Sequence, residues 1–237
     1  MRASVTLGTA DLRAALNAVR VHASTTSDSD WHAIRLAVDD QNVTVTAGDR
    51  FTLGLSIVSV VDHDRQGPYV FELLPDDVAK VLGIFTAGKE SPASDAPEYL
   101  VRIDTDDESV TVVDCSGMLD GRALKVPRLP TSTTLNAVPR IIIRAHSTGL
   151  VLLEDLVFQG EYVARFKAAA TAYRETLTFE AHEGTKGLLV RCGESFLGAL
   201  MPITVLPEHA ARIGEWRDGW DRRLPAILAA VDADGAT

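Results

Sequence analysis

Six histidines, two cysteines and one acidic run are the residues of this 237-residue chain whose types could carry catalysis or bind a metal. His22, His32, His63, His146, His182 and His209 each stand alone, with no H-x-x-x-H spacing and no His-plus-carboxylate motif to build a general base or a zinc site. Cys115 and Cys192 lie far apart and outside any C-x-x-C or Cys/His pattern. They read as two buried thiols in a reducing cytosol. The run Asp104–Glu108 lacks the alternating oxygen ligands and the glycine of a calcium loop, so it reads as a turn between strands. No G-x-x-x-x-G-K-[ST] is present to signal nucleotide hydrolysis. The residues therefore point to no enzyme, no cofactor and no metal.

The basic residues offer a different chemistry, which is contact with phosphate. A formal net charge of −10 argues against a nonspecific nucleic-acid coat, whose affinity would come from cations releasing counterions. It leaves room for a protein that gathers its Lys and Arg on one face. Arg13, Arg20, Lys80, Arg165, Lys167 and Arg174 all fall on or beside three helical segments. No stretch is apolar enough to cross a bilayer, and the N-terminus alternates polar and apolar residues where a signal peptide would have an apolar block. A cytoplasmic protein without membrane contact is expected, and 46% hydrophobic residues suffice for a substantial core.

The elements that must position these residues follow a repeated order. Ala3–Leu7 alternates as a strand, Thr9 stands as an N-cap, and Leu12, Ala15, Leu16 and Val19 make one apolar stripe on a helix over Ala10–Val19. Strand-like runs follow at His32–Val38, Val43–Ala47 and Phe51–Val60. This βαβββ order then recurs as a strand at Tyr69–Leu74, a helix at Asp76–Phe85 behind Pro75, and strands at Tyr99–Thr105, Ser109–Asp114 and Met118–Lys125. Asp11-Leu12 with Leu16 in the first copy corresponds to Asp77-Val78 with Leu82 in the second. A repeated unit that cannot close its own core implies that the copies pack together. The spacing therefore predicts a complete domain over 1–128, a linker over 129–138, a reduced second domain over 139–206 and a helical tail over 207–237. The second block is expected to hold strands at Arg140–Ala145 and Leu150–Phe158, a helix near Glu161–Tyr173, and strands at Thr176–Glu180, Gly187–Arg191 and Phe196–Met201. Gly219 and Pro225 are expected to interrupt the tail, which carries Trp216 and Trp220.

Three motifs in this frame resemble the bacterial sliding-clamp family. The first runs from Thr9 to Val60 and holds T-A-D-L-R-A-A-L-N-A-V, then H-A-I-R-L-A-V, then V-T-V-T-A-G-D-R-F-T-L. The second is D-G-R at Asp120–Arg122 with Leu129-Pro130, and the third is F-L-G-A-L-M-P-I at Phe196–Ile203. The resemblance spans most of residues 3–205. It implies an α+β sliding-clamp fold of repeated βαβββ units, with helices on an inner face and sheets outside. Its implied function is a processivity factor, bacterial or phage-encoded and nucleoid-associated, that encircles double-stranded DNA without reading sequence and tethers polymerase and clamp loader through short linear peptides.

By the same resemblance Arg13, Arg20, Lys80, Arg165, Lys167 and Arg174 would face DNA. Gly48, Thr52, Leu53, Pro130, Met201, Pro202 and Ile203 would form the peptide pocket. Three features depart from the family pattern: Gly48 and Thr52 replace its usual hydroxyl residue and Arg, the second block is about half a domain short, and the chain continues past the Met-Pro strand. Sheet edges left open would be sealed by a neighbouring subunit, which suggests a head-to-tail ring of about three chains. The competing expectation is a clamp-derived interaction module that engages regulatory or replication proteins without encircling DNA. A helix-turn-helix is excluded because strands, and no recognition helix, follow the first helix.

Overall fold

The computed structural model describes residues 3–64, 67–89, 96–152 and 156–234. Contacts divide the chain into one compact unit of Met1–Glu154 with Phe158–Pro202, and a second of Asp155–Val157 with Ile203–Thr237.

The first unit begins with the doubled motif. Strand β1 (Ala3–Gly8) leads into α1 (Thr9–Arg20), followed by β2 (Ile34–Val38), β3 (Asn42–Gly48) and β4 (Thr52–His63). The second copy is β5 (Tyr69–Leu73), α2 (Pro75–Ile84), β6 (Leu100–Thr105), β7 (Ser109–Asp114) and β8 (Ala123–Pro127). The strands join in the order β5-β2-β3-β4-β1-β6-β7-β8, every pairing antiparallel. Each copy thus lends its first strand to the other: β1 pairs with β6 and β5 with β2. The copies complete one another, and α1 and α2 lie side by side as the repeat requires.

Local chemistry explains the helix ends. Thr9 is the first helical residue after a Gly8 cap that makes no side-chain bond, so the expected capping by Thr9 is replaced by a backbone bond from Thr9 N–H to Tyr99 O at 2.8 Å. Pro75 opens α2, where its missing N–H costs nothing, and Asp76 and Asp77 favour the positive end of the helix dipole.

The rest of this unit is α3 (Ala137–His146), α4 (Gly160–Arg165), α5 (Lys167–Tyr173), β9 (Leu177–Ala181), β10 (Leu188–Cys192) and β11 (Phe196–Leu200). Strand β4 branches the sheet, because Thr52–Ser56 pair with β11 while its far end pairs with β1. Strands β10 and β9 continue outward from β11. Successive residues of β4 face opposite sides. Gly54 lies against His22 beyond α1, whereas Leu53 and Leu55 join Val138, Ile142 and Ala145 of α3 in a separate core with Leu189 and Ala199.

Helix α3 corrects the strand expected at Arg140–Ala145. The run Ile141-Ile142-Ile143 favours strand locally, but Val138, Ile142 and Ala145 recur at helical spacing and cover the bare apolar side of β4, β10 and β11. Burial of that stripe outweighs β propensity. Of the strand expected at Leu150–Phe158, residues 153–155 lie outside the described residues, and Leu150 makes only an isolated bridge to His182. The helix expected near Glu161–Tyr173 is two helices meeting at Phe166, whose ring is fully buried against His22 and Phe196.

The second unit holds α6, Pro207–Asp234, which runs through Gly219 and Pro225 rather than breaking at them. No helix among the described residues is long and apolar enough to cross a membrane.

Candidate functional site

The six cations expected to face DNA are held in three different ways. Arg13 of α1 donates through Nη1 to Leu82 O, and to Phe85 O at 2.5 Å, so it satisfies carbonyls left open at the end of α2. Arg165 donates to Asp49 Oδ2 at 2.6 Å and to Thr52 Oγ1 at 2.8 Å, with its guanidinium 5.0 Å above the Tyr162 ring. Both arginines serve the fold. Lys80 is exposed and pairs with Asp77 at 2.6 Å, a bond that holds its ammonium above the ordinary lysine range.

Arg20 and Lys167 are exposed and line one cleft of about 750 Å³ between α1 and α4–α5, with Asn17, Ala164 and Thr171. Arg174 ends α5 in the left-handed conformation at φ 57°, exposed beyond the helix. Three expected residues, Arg20, Lys167 and Arg165, are therefore brought to one cleft, while Arg13 and Lys80 lie toward α2.

The residues expected to form the peptide pocket stand on several elements of the first unit and, for Ile203, in the second. Thr52 and Leu53 point to opposite faces: Thr52 is buried toward Arg165, and Leu53 is buried beneath α3. Gly48 is required by close approach, since a Cβ there would stand 2.5 Å from Leu53 Cδ2 and 3.4 Å from Val138 Cγ2. Pro130 is exposed, while Met201 and Pro202 are half-buried. Met201 N–H donates to Phe51 O at 2.8 Å. Ile203 belongs to the second unit, where its N–H bonds Val157 O at 2.9 Å.

A different cavity opens beside the same turn. About 760 Å³ in volume, it is lined by the Ser24–Ser29 loop, Trp31, Asp49, Arg50, Phe51, Glu161, Tyr162 and Arg165. Phe51 and Tyr162 stack face to face at 4.4 Å and 11°, and Phe51 stays 37% exposed. Asp49 fixes the turn by accepting from the N–H groups of Phe51 and Thr52, both at 2.8 Å. The volume suits a side chain or short peptide, with aromatic walls and a few polar groups. Sequence reasoning missed Trp31, Phe51 and Tyr162. The A-G-D-R-F-T-L turn holds Phe51 and was a usable signal, but Tyr162 comes 111 residues later and meets it only through the fold.

Cys192, His22 and His182 are buried and Cys115 is half-buried. Burial pushes both thiols, Cys115 and Cys192, upward, away from the thiolate a nucleophile needs. His182 is buried between Thr148 O at 2.9 Å and Glu180 at 3.2 Å, while His22 has no hydrogen-bond partner on either ring nitrogen. Among the described residues no cluster of three or more His, Cys, Asp or Glu could hold a metal.

Neither a family model nor a curated protein matches the sequence. Solved structures do match. The beta subunit of DNA polymerase III from Thermotoga maritima superposes with a TM-score of 0.61 at 9% identity, over 86% of this chain and 65% of that one. The DNA polymerase sliding clamp from Bacillus subtilis gives 0.59 at 12%, over 86% and 64%. Proliferating Cellular Nuclear Antigen from Entamoeba histolytica gives 0.56 at 9%, over 86% of this chain and 99% of its own. The chain thus spans just under two thirds of these two bacterial clamps. With the doubled βαβββ sheet and its paired helices, these superpositions show that the chain has the sliding-clamp fold.

Proposed function

We propose that the protein is a non-catalytic, cytoplasmic scaffold of the sliding-clamp type, which surrounds duplex DNA as a homo-oligomeric ring and tethers polymerase or other replication proteins to it. The observation that carries this reading is the cleft where α1 meets α4–α5, which presents Arg20 and Lys167, without ion pairs among the described residues, beside Arg165 and a single carboxylate, Glu161. A sliding contact needs a few such cations and no base-reading groups, and the excess acid elsewhere limits unwanted DNA binding. Partner proteins would insert a short segment into the cavity of Trp31, Phe51 and Tyr162. Residues 139–206 would act as the reduced second domain, joined to the first through β4 and β11.

A specific observation favours the second reading, a clamp-derived module that engages proteins without encircling DNA. The outer strand β8 carries exposed Lys125 and ends at Pro127, two features that discourage edge pairing with another chain. Sedimentation of the full chain at micromolar concentration separates the two. Closed oligomers of about three chains support the ring, and a monomer would leave only the module.

A further inference from the structure

The charges around the aromatic cavity are unequal, and they select what enters it. Asp49 is spent on Arg165 at 2.6 Å, which leaves Asp28 and Glu161 against Arg50. Asp28 and Glu161 are exposed, and neither forms an ion pair among the described residues. The cavity is therefore acidic by one charge over walls of Trp31, Phe51 and Tyr162. A nucleobase with its phosphate would meet those carboxylates unfavourably, and a purely aliphatic anchor would gain nothing from them.

One occupant of this wall is already in place. The Arg165 guanidinium lies 5.0 Å above Tyr162 with a carboxylate alongside, and Phe51 stacks on the same ring. We propose that the cavity is an arginine-anchor site, taking a peptide whose guanidinium stacks on the exposed aromatic surface of Phe51 or Trp31 while Asp28 and Glu161 accept its N–H groups. Arginine fits better than lysine, because a planar guanidinium stacks on an aromatic face and bonds carboxylates in its own plane. This inference rests on the cavity being the partner site and adds the chemistry of the partner.

The test uses the full chain labelled with ¹⁵N and three acetylated five-residue peptides that differ only in a central Arg, Lys or Leu. The indole N–H signal of Trp31, assigned by Trp31→Phe, reports the cavity separately from Trp216 and Trp220. The Arg peptide shifts and saturates this signal, and the Lys peptide binds about ten-fold more weakly. The double variant Asp28→Asn, Glu161→Gln changes two exposed side chains and weakens the Arg peptide by a similar factor, about ten-fold, while the unliganded spectrum keeps its dispersion. A Leu peptide that binds as tightly as the Arg peptide, or Arg binding that survives loss of both carboxylates, overturns the arginine anchor and leaves the partner cavity standing. If no peptide moves the Trp31 signal, the partner cavity fails as well.

Discussion

Arg165 of α4 reaches Asp49 in the turn before β4 with a 2.6 Å ion pair, and both side chains are largely buried. A cation that the clamp resemblance assigns to DNA is thereby committed to holding the second block against the first. Arg165→Gln is expected to lower stability by about 2–3 kcal/mol, since it leaves Asp49 without its charged partner. Arg20→Glu and Lys167→Glu alter exposed residues and should each change stability by less than about 0.5 kcal/mol. Urea unfolding of the three variants, set beside their binding to duplex DNA, separates the roles: only the last two should weaken DNA binding without a loss of stability.

Arg35 and Glu72 are register partners across β2 and β5, paired at 3.0 Å with both side chains almost wholly buried. Glu72 also accepts the Ser132 N–H, which ties the segment after β8 to this edge. Burial pushes the Glu72 carboxyl upward, and the bonds from Ser132 and Arg35 oppose that shift. Arg35→Met leaves a buried carboxylate unpaired and should cost about 3–5 kcal/mol, whereas Arg35→Met with Glu72→Leu should recover much of the loss. Thermal unfolding of single and double variants measures both. Equal losses in the two would contradict the pairing as the source of the cost.

His22 is fully buried between Phe166 and Phe196 and has no partner for either ring nitrogen. Burial first, and then the nearby Arg165 charge, lower its pKa from 6.5 to about 3, while Asp49 opposes them. The unfolded chain takes up this proton below its ordinary pKa and the folded chain does not. Stability from His22 is therefore complete above pH 6.5 and falls as the pH drops toward 3. The full effect is on the order of 5 kcal/mol. Urea midpoints between pH 7 and about pH 4.5 should fall for the parent chain and flatten in His22→Leu. Parallel slopes would mean that His22 does not govern this range.

The doubled sheet is legible in the sequence because its strands alternate and its helices carry one apolar stripe each, so period alone separates them. The second block is less legible for a physical reason. Ile141–Ile143 favours strand until Leu53, Leu55, Leu189 and Ala199 supply an apolar face that only the tertiary structure assembles. The site residues divide in the same way. Arg20 and Lys167 could be placed from helix position, but nothing local marks Arg13 as the residue that closes the end of α2, or Tyr162 as the partner of Phe51.

Leu53 offers a check on that tertiary face. It is 4% exposed beneath Val138 and Ile142, so Leu53→Ala should cost about 2–5 kcal/mol and loosen α3. Hydrogen exchange of the α3 amides should quicken in this variant more than that of the α1 amides. Unchanged protection in α3 would contradict its packing on β4.

A ring that encircles DNA is held by topology, so cutting the DNA must free it. The direct measurement is retention of the full chain on nicked circular plasmid during gel filtration, repeated after a single restriction cut. Encirclement predicts co-elution with the circle and loss from the linear form. Equal retention on both forms would contradict it and leave the non-encircling module.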